Sequence, residues 1–104
     1  MRVRFIDPTG REYLVEGEPG ESAMRCATRA LIPGVLGECG GAMACATCHC
    51  YVEPAGAAPP PPRADEQEMV SGCLEVRPNS RLTCQIILSA ELEGITFVVP
   101  SSQV

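Results

Sequence analysis

Residues 38–52, ECGGAMACATCHCYV, place Cys39, Cys45 and Cys48 within ten positions, with five residues and then two between them. The residues between are almost all Gly, Ala, Met and Thr, a composition that makes a loop rather than an amphipathic element. A fourth cysteine, Cys84, lies thirty-six positions beyond Cys48. The N-terminus, MRVRFIDPTG, alternates from the start and has no continuous apolar run, so no signal peptide is expected. Three close thiols and one distant one in such a chain point to a metal centre before a disulfide framework.

Outward from this stretch the chain punctuates clearly. Upstream, Val3 and Phe5 alternate with Arg2 and Arg4, and Asp7-Pro8-Thr9-Gly10 turns into a second strand, Arg11 to Val15, predicting an N-terminal hairpin. Ser22 is placed to cap a helix whose apolar stripe is Ala23, Met24, Ala27, Ala30 and Leu31, with Pro33-Gly34 as its stop. Downstream, Tyr51-Val52 closes the cysteine loop as a short strand. Residues 54–62, PAGAAPPPP, can only be an extended surface connection. Asp65 then caps a short helix, with Glu68 in capping-box relation and Met69, Val70, Cys73 and Leu74 facing inward. Pro78-Asn79-Ser80 turns into a strand from Arg81 to Leu88, where Leu82, Cys84, Ile86 and Leu88 share a face. Ser89 to Gly94 is a loop with room for a helical turn, and Ile95, Phe97 and Val99 alternate in a last strand. About five strands, one main helix and a short acidic one make a small α+β domain, compatible with a β-grasp sheet packed on one helix.

At 104 residues the chain is read as a single domain, 1–104. It has two Phe, two Tyr and no Trp, so its core must come from aliphatic residues and is thin enough to gain from an anchored cluster. Seven cysteines cannot all pair within one chain. No run reaches the length of a membrane span. The net charge is −5, and all eight basic residues are Arg. That balance argues against nucleic acid and for a basic protein surface as partner. A cytoplasmic, bacterial setting is expected.

Four thiolates can hold zinc or an iron-sulfur cluster. Structural zinc sites usually pair two C-x2-C knuckles, and only one such pair is present. A five-residue loop of small residues can wrap something larger than one ion, its backbone N–H groups reaching inorganic sulfide. Cys45-Ala46-Thr47-Cys48-His49 also reads as a C-x-x-C-H haem attachment motif. The strand-rich pattern and the otherwise idle Cys39 and Cys84 oppose that reading. A Rieske centre needs two His, and the chain has one. Spacing leaves Cys73 open beside Cys84 as the distant ligand.

The spacing Cys39-x5-Cys45-x2-Cys48 with Cys84, carried by CGGAMACATCH and PNSRLTCQIILSAELEGI, resembles the 2Fe-2S ferredoxins of the adrenodoxin and putidaredoxin type. The first gap is one residue longer than in plant-type ferredoxins. The resemblance runs from the hairpin to Val99-Pro100. It implies a β-grasp fold and a one-electron carrier, not an enzyme, with one 2Fe-2S cluster on Cys39, Cys45, Cys48 and Cys84. It also implies that His49 is a structural hydrogen-bonder beside the loop, tying it to the segment after the Pro-rich stretch. The remaining thiols, Cys26, Cys50 and Cys73, are read as ordinary small residues.

The same resemblance makes the acidic helix, with Asp65, Glu66 and Glu68, a docking surface, with Glu38 a further candidate. Helix capping and the helix dipole are the bland alternative explanation of those acids. The implied partners are an FAD-containing, NAD(P)H-dependent ferredoxin reductase and a cytochrome P-450 monooxygenase, served by a monomer shuttling between them. The chain ends Ser101-Ser102-Gln103-Val104, without the terminal aromatic of some bacterial relatives. With the cluster bound the net charge becomes about −7 oxidised and about −8 reduced, a field that steers association with basic partners. Two other readings stand beside this one: a ferredoxin of iron-sulfur cluster assembly, and a redox-inert zinc interaction module with four cysteine ligands.

Overall fold

The N-terminal alternation becomes a hairpin of β1 (Arg2–Ile6) and β2 (Glu12–Glu16), with Val3 opposite Val15 and Phe5 opposite Tyr13. Asp7 organises its turn. One carboxylate oxygen accepts from the Thr9 amide (2.9 Å), the Thr9 hydroxyl (2.6 Å) and the Arg11 amide (3.0 Å), and the other from the Tyr13 hydroxyl (2.9 Å). Gly10, at φ +90°, supplies the left-handed residue that brings the chain back. The structure is a computed structural model, and it describes residues 1–32, 49–73 and 75–100.

The remaining elements are α1 (Ala23–Arg29), β3 (His49–Glu53), α2 (Ala64–Ser71), β4 (Ser80–Leu82) and β5 (Thr96–Val98), with 3-10 turns at Thr83–Gln85 and Ala90–Leu92. Among the described residues the strands form one five-stranded sheet in the order β2-β1-β5-β3-β4. β5 runs parallel to β1, with Phe5 beside Phe97, and antiparallel to β3, with Tyr51 beside Val98. The two phenylalanine rings stack with centroids 5.4 Å apart at the middle of the core. Ala23, Met24, Cys26 and Ala27 of α1 join Leu82, Ile86, Leu88 and Ile95 in the same buried cluster. The core is mainly aliphatic, as expected, but it is built around the stacked Phe pair, with Cys26 as one of its small members.

Ser22 caps α1 as expected, its hydroxyl accepting from the Arg25 amide at 3.1 Å. The helix stops earlier than the apolar stripe suggests. The Ile32 amide bonds the Ala27 carbonyl (3.0 Å) and the Leu31 amide bonds the Thr28 carbonyl (3.1 Å), the paired bonds of a Schellman motif. Leu31 occupies its left-handed position at φ 58° and stands 84% exposed, so it ends the helix rather than extending its inner face.

Two further expectations are corrected. Residues 81–88 are not one strand: the ladder ends at Leu82, and the chain winds through a 3-10 turn before Ile87 bridges Ser22. Leu82, Cys84, Ile86 and Leu88 are nevertheless all buried, so the alternation reported burial correctly and backbone shape incorrectly. In α2 the cap is Arg63, without a side-chain cap bond, and Asp65 lies inside the first turn, so no capping box with Glu68 forms. Residues 54–62 are irregular and mostly exposed, as their proline content requires.

Candidate metal centre

Cys48 is joined by its peptide bond to His49, the first residue of β3. His49 is paired with Leu82, the last residue of β4, and Cys84 follows two positions later. Neighbouring strands lie about 4.8 Å apart. The fold thus carries the chain leaving the cysteine triplet and the chain approaching Cys84 to the same end of one strand pair. Cys73, at the far side of α2, has no such strand connection. Cys39, Cys45, Cys48 and Glu38 themselves lie outside the described residues. Among the described residues no three His, Cys, Asp or Glu side chains gather around a metal position.

Cys84 sits in the 3-10 turn, only 8% exposed, between fully buried Thr83 and the half-buried Gln85. The Gln85 side-chain amide donates to its sulfur, Nε2 to Sγ 3.4 Å. A buried sulfur receiving an amide N–H is the environment a metal-bound thiolate requires, since the donor compensates negative charge that water does not reach. The fourth member of a four-thiolate donor set therefore fits. Gln85 was not singled out by sequence pattern; its one signal is that it adjoins a cysteine.

The other thiols differ. Cys26 and Cys50 are fully buried among apolar neighbours, and burial pushes both thiols up from their ordinary pKa, away from the thiolate form. Cys73, just beyond the end of α2, is half-buried and packed against the core, its thiol donating to the Met69 carbonyl of that helix at 3.6 Å. Burial raises its pKa as well.

At the start of β3, His49 is 1% exposed and meets Tyr51 edge to face at 5.3 Å. Burial, opposed by Glu75, lowers its pKa, which favours the neutral ring. Tyr51 and Asn79, neither of them picked out by pattern, contribute ties between β3 and the turn beyond α2. The Tyr51 hydroxyl donates to the Glu75 carbonyl (2.6 Å), and the Arg77 guanidinium lies 4.2 Å over the Tyr51 ring. Asn79 exchanges bonds with Val52, amide to carbonyl at 3.0 Å and side chain to carbonyl at 3.2 Å.

The acidic helix divides by exposure. Asp65 and Glu68 face solvent, with Arg63 the weak ion-pair partner of Asp65 at 4.0 Å. Glu66 is 2% exposed, and both its oxygens are engaged by Arg81, so it is not part of an exposed docking face. Arg81 is consumed in the same pair.

The 2Fe-2S iron-sulfur cluster binding domain family matches residues 6–89. Ferredoxin CarAc of Sphingomonas sp. is 45% identical over 104 residues, covering 99% of this chain and 95% of that protein. The crystal structure of a reduced cysteine-to-serine variant of putidaredoxin from Pseudomonas putida superposes with a TM-score of 0.94 at 37% identity, covering the whole of both chains. A covalent putidaredoxin reductase–putidaredoxin complex contains a chain with TM-score 0.92 at 36% identity, covering 98% of this chain and all of that one. The mixed sheet with its two helices is accordingly the β-grasp fold of these proteins. Kinship over nearly the full length, joined to the donor chemistry at Cys84, makes the chain a member of the 2Fe-2S ferredoxin family, of the putidaredoxin type, and so an electron carrier with one 2Fe-2S cluster rather than an enzyme.

Proposed function

We propose that this ferredoxin takes single electrons from an FAD-containing, NAD(P)H-dependent ferredoxin reductase and delivers them to a cytochrome P-450 monooxygenase. The observation that carries the reductase half is the whole-chain likeness to the putidaredoxin of a covalent reductase complex. The monooxygenase half follows from the family resemblance carried by CGGAMACATCH and PNSRLTCQIILSAELEGI. Cys39, Cys45, Cys48 and Cys84 are proposed as the cluster ligands. The convergence of β3 and β4 supports Cys84 over Cys73.

When bound, the cluster supplies a one-electron couple without proton or group transfer. The chain's own residues do the rest. Leu82, Thr83 and Ile86 keep water from the segment around Cys84, and His49 and Tyr51 meet edge to face within β3, the strand that follows Cys48. Asp65 and Glu68 are proposed to meet basic residues on each partner, with Glu38 beside Cys39 as a further contact. One acidic face serving both partners makes the protein a shuttle. Its setting is proposed as a bacterial cytoplasm, as one 104-residue domain acting as a monomer.

The test is reconstitution of the holoprotein with a reductase and a monooxygenase of this class. Sustained, ferredoxin-dependent substrate turnover is expected, with saturating oxidised reductase competing against monooxygenase for the ferredoxin. Simultaneous independent binding of both partners would refute the shuttle, and failure to accept electrons from any such reductase would refute the carrier assignment to this chain of partners.

A further inference from the structure

We infer that Gln85 is a positioning residue for electron transfer: its side-chain amide holds a hydrogen bond on the Cys84 sulfur and thereby raises the reduction potential of the cluster. The inference rests on the proposal that Cys84 is a ligand.

The geometry is local. The 3-10 turn at Thr83–Gln85 lifts the chain out of the sheet immediately after Leu82, and its tight winding folds the Gln85 side chain back over the residue before it, Nε2 to Sγ 3.4 Å. Had the segment stayed extended, side chains at 84 and 85 would point to opposite faces of the sheet. The turn that interrupts the expected strand is therefore what brings the donor to the sulfur. Its surroundings are dry: Leu82, Thr83 and Ile86 are all buried to 1% exposure or less.

Chemistry fixes which end of the amide faces inward. A thiolate has only lone pairs to offer, so the N–H end is attracted and the carbonyl end repelled. Reduction adds one negative charge to the cluster, part of it spread over the ligand sulfurs. A donor aimed at that sulfur gains more from the reduced state than from the oxidised one, and in poorly solvated surroundings the difference is not screened away. The neighbouring amide therefore favours the electron's arrival.

The experiment measures the reduction potential of the holoprotein, with iron and sulfide content and the resonance Raman Fe–S(Cys) bands, for the parent, Gln85→Leu and Gln85→Glu. Gln85→Leu removes the donor at similar volume; Gln85→Glu keeps the shape and substitutes an acceptor. At a fixed poise the reduced-to-oxidised ratio should fall about tenfold in Gln85→Leu, equivalent to about 59 mV for a one-electron couple, and further in Gln85→Glu. The Fe–S(Cys) bands should become less sensitive to deuterated solvent in both. Parent-like potentials in either loaded variant would overturn the inference. Cys84→Ser is run beside them. If it keeps the parent's spectrum and two irons, the ligand assignment itself fails; if it loses them while both Gln85 variants hold the parent potential, only the role of Gln85 fails.

Discussion

Glu66 and Arg81, fifteen residues apart, close on each other as a two-pronged pair inside the protein, Nε to Oε2 at 2.6 Å and Nη2 to Oε1 at 3.0 Å. The same carboxylate accepts from the Leu82 amide at 3.1 Å, and Arg81 reaches the Pro60 carbonyl at 2.8 Å. One buried pair thus joins α2, the last residue of β4 and the Pro-rich connection. Glu66→Ala leaves Arg81 buried without its charge partner and should lower holoprotein stability by about 3–5 kcal/mol. Chemical denaturation, followed by loss of visible absorbance and far-UV signal together, measures it. Partner affinity at low salt should change little in the folded fraction, because Glu66 is not at the surface.

The thiols should separate by substitution. Cys84→Ser should prevent stable incorporation of two irons and two sulfides, whereas Cys73→Ser should leave the visible spectrum and iron content at parent values. The reverse outcome would move the fourth ligand to the end of α2.

Charge reversal on the exposed side of the acidic helix tests docking. Asp65→Lys with Glu68→Lys should weaken binding to the reductase at low ionic strength by about tenfold or more, flatten its salt dependence and leave the cluster spectrum unchanged. Calorimetry or biosensor titration at two salt concentrations reads both effects. Unchanged affinity at low salt would leave Asp65 a stabiliser of the first helical turn and Glu68 a solvated surface charge.

The hairpin turn carries a pH signature. The Tyr13 hydroxyl donates to Asp7, which raises its pKa above the ordinary 10.0. A group whose pKa is raised by folding stabilises fully below its unfolded pKa and loses that contribution as pH climbs through the folded value. Parent and Tyr13→Phe should therefore differ by a constant amount in melting temperature between pH 7 and about 9, and the gap should close as pH rises past the ordinary tyrosine range.

Leu31 supplies an opposite case, in which a substitution should help. A branched residue in the left-handed region costs about 1–2 kcal/mol, which Gly avoids at the expense of a more flexible unfolded chain. With its side chain exposed, Leu31→Gly should raise stability by about 0.5–1 kcal/mol in equilibrium denaturation.

Much of this architecture was legible because period and punctuation are local. Val3, Phe5 and the Asp7–Gly10 turn announce their hairpin, Ser22 its cap, and Ile95, Phe97 and Val99 their burial. The fold family was carried by the cysteine spacing and its flanking residues. What pattern could not supply were relations across the chain. An acid at position 66 reads as surface charge until Arg81 is known to lie beside it. Leu82, Cys84, Ile86 and Leu88 alternate in burial whether the backbone stays extended or winds once between them, so the turn that presents Cys84 and Gln85 was invisible. Leu31 carries an apolar side chain at helical spacing, and only the carbonyls of Ala27 and Thr28, accepting from beyond the helix, reveal that the chain has already turned away.

The order of the strands sets the timing of assembly. β5, last in the chain, is not an edge but the seam between two halves: the N-terminal hairpin on one side, and β3 with β4 on the other. As the polypeptide leaves a ribosome, each half can pair within itself, yet neither gains the other until Thr96–Val98 arrives. Phe97 then slides in beside Phe5, a partner made about ninety residues earlier. A ferredoxin built this way is sealed by the strand that joins its two halves, so the cluster meets a finished sheet only once β5 is in place.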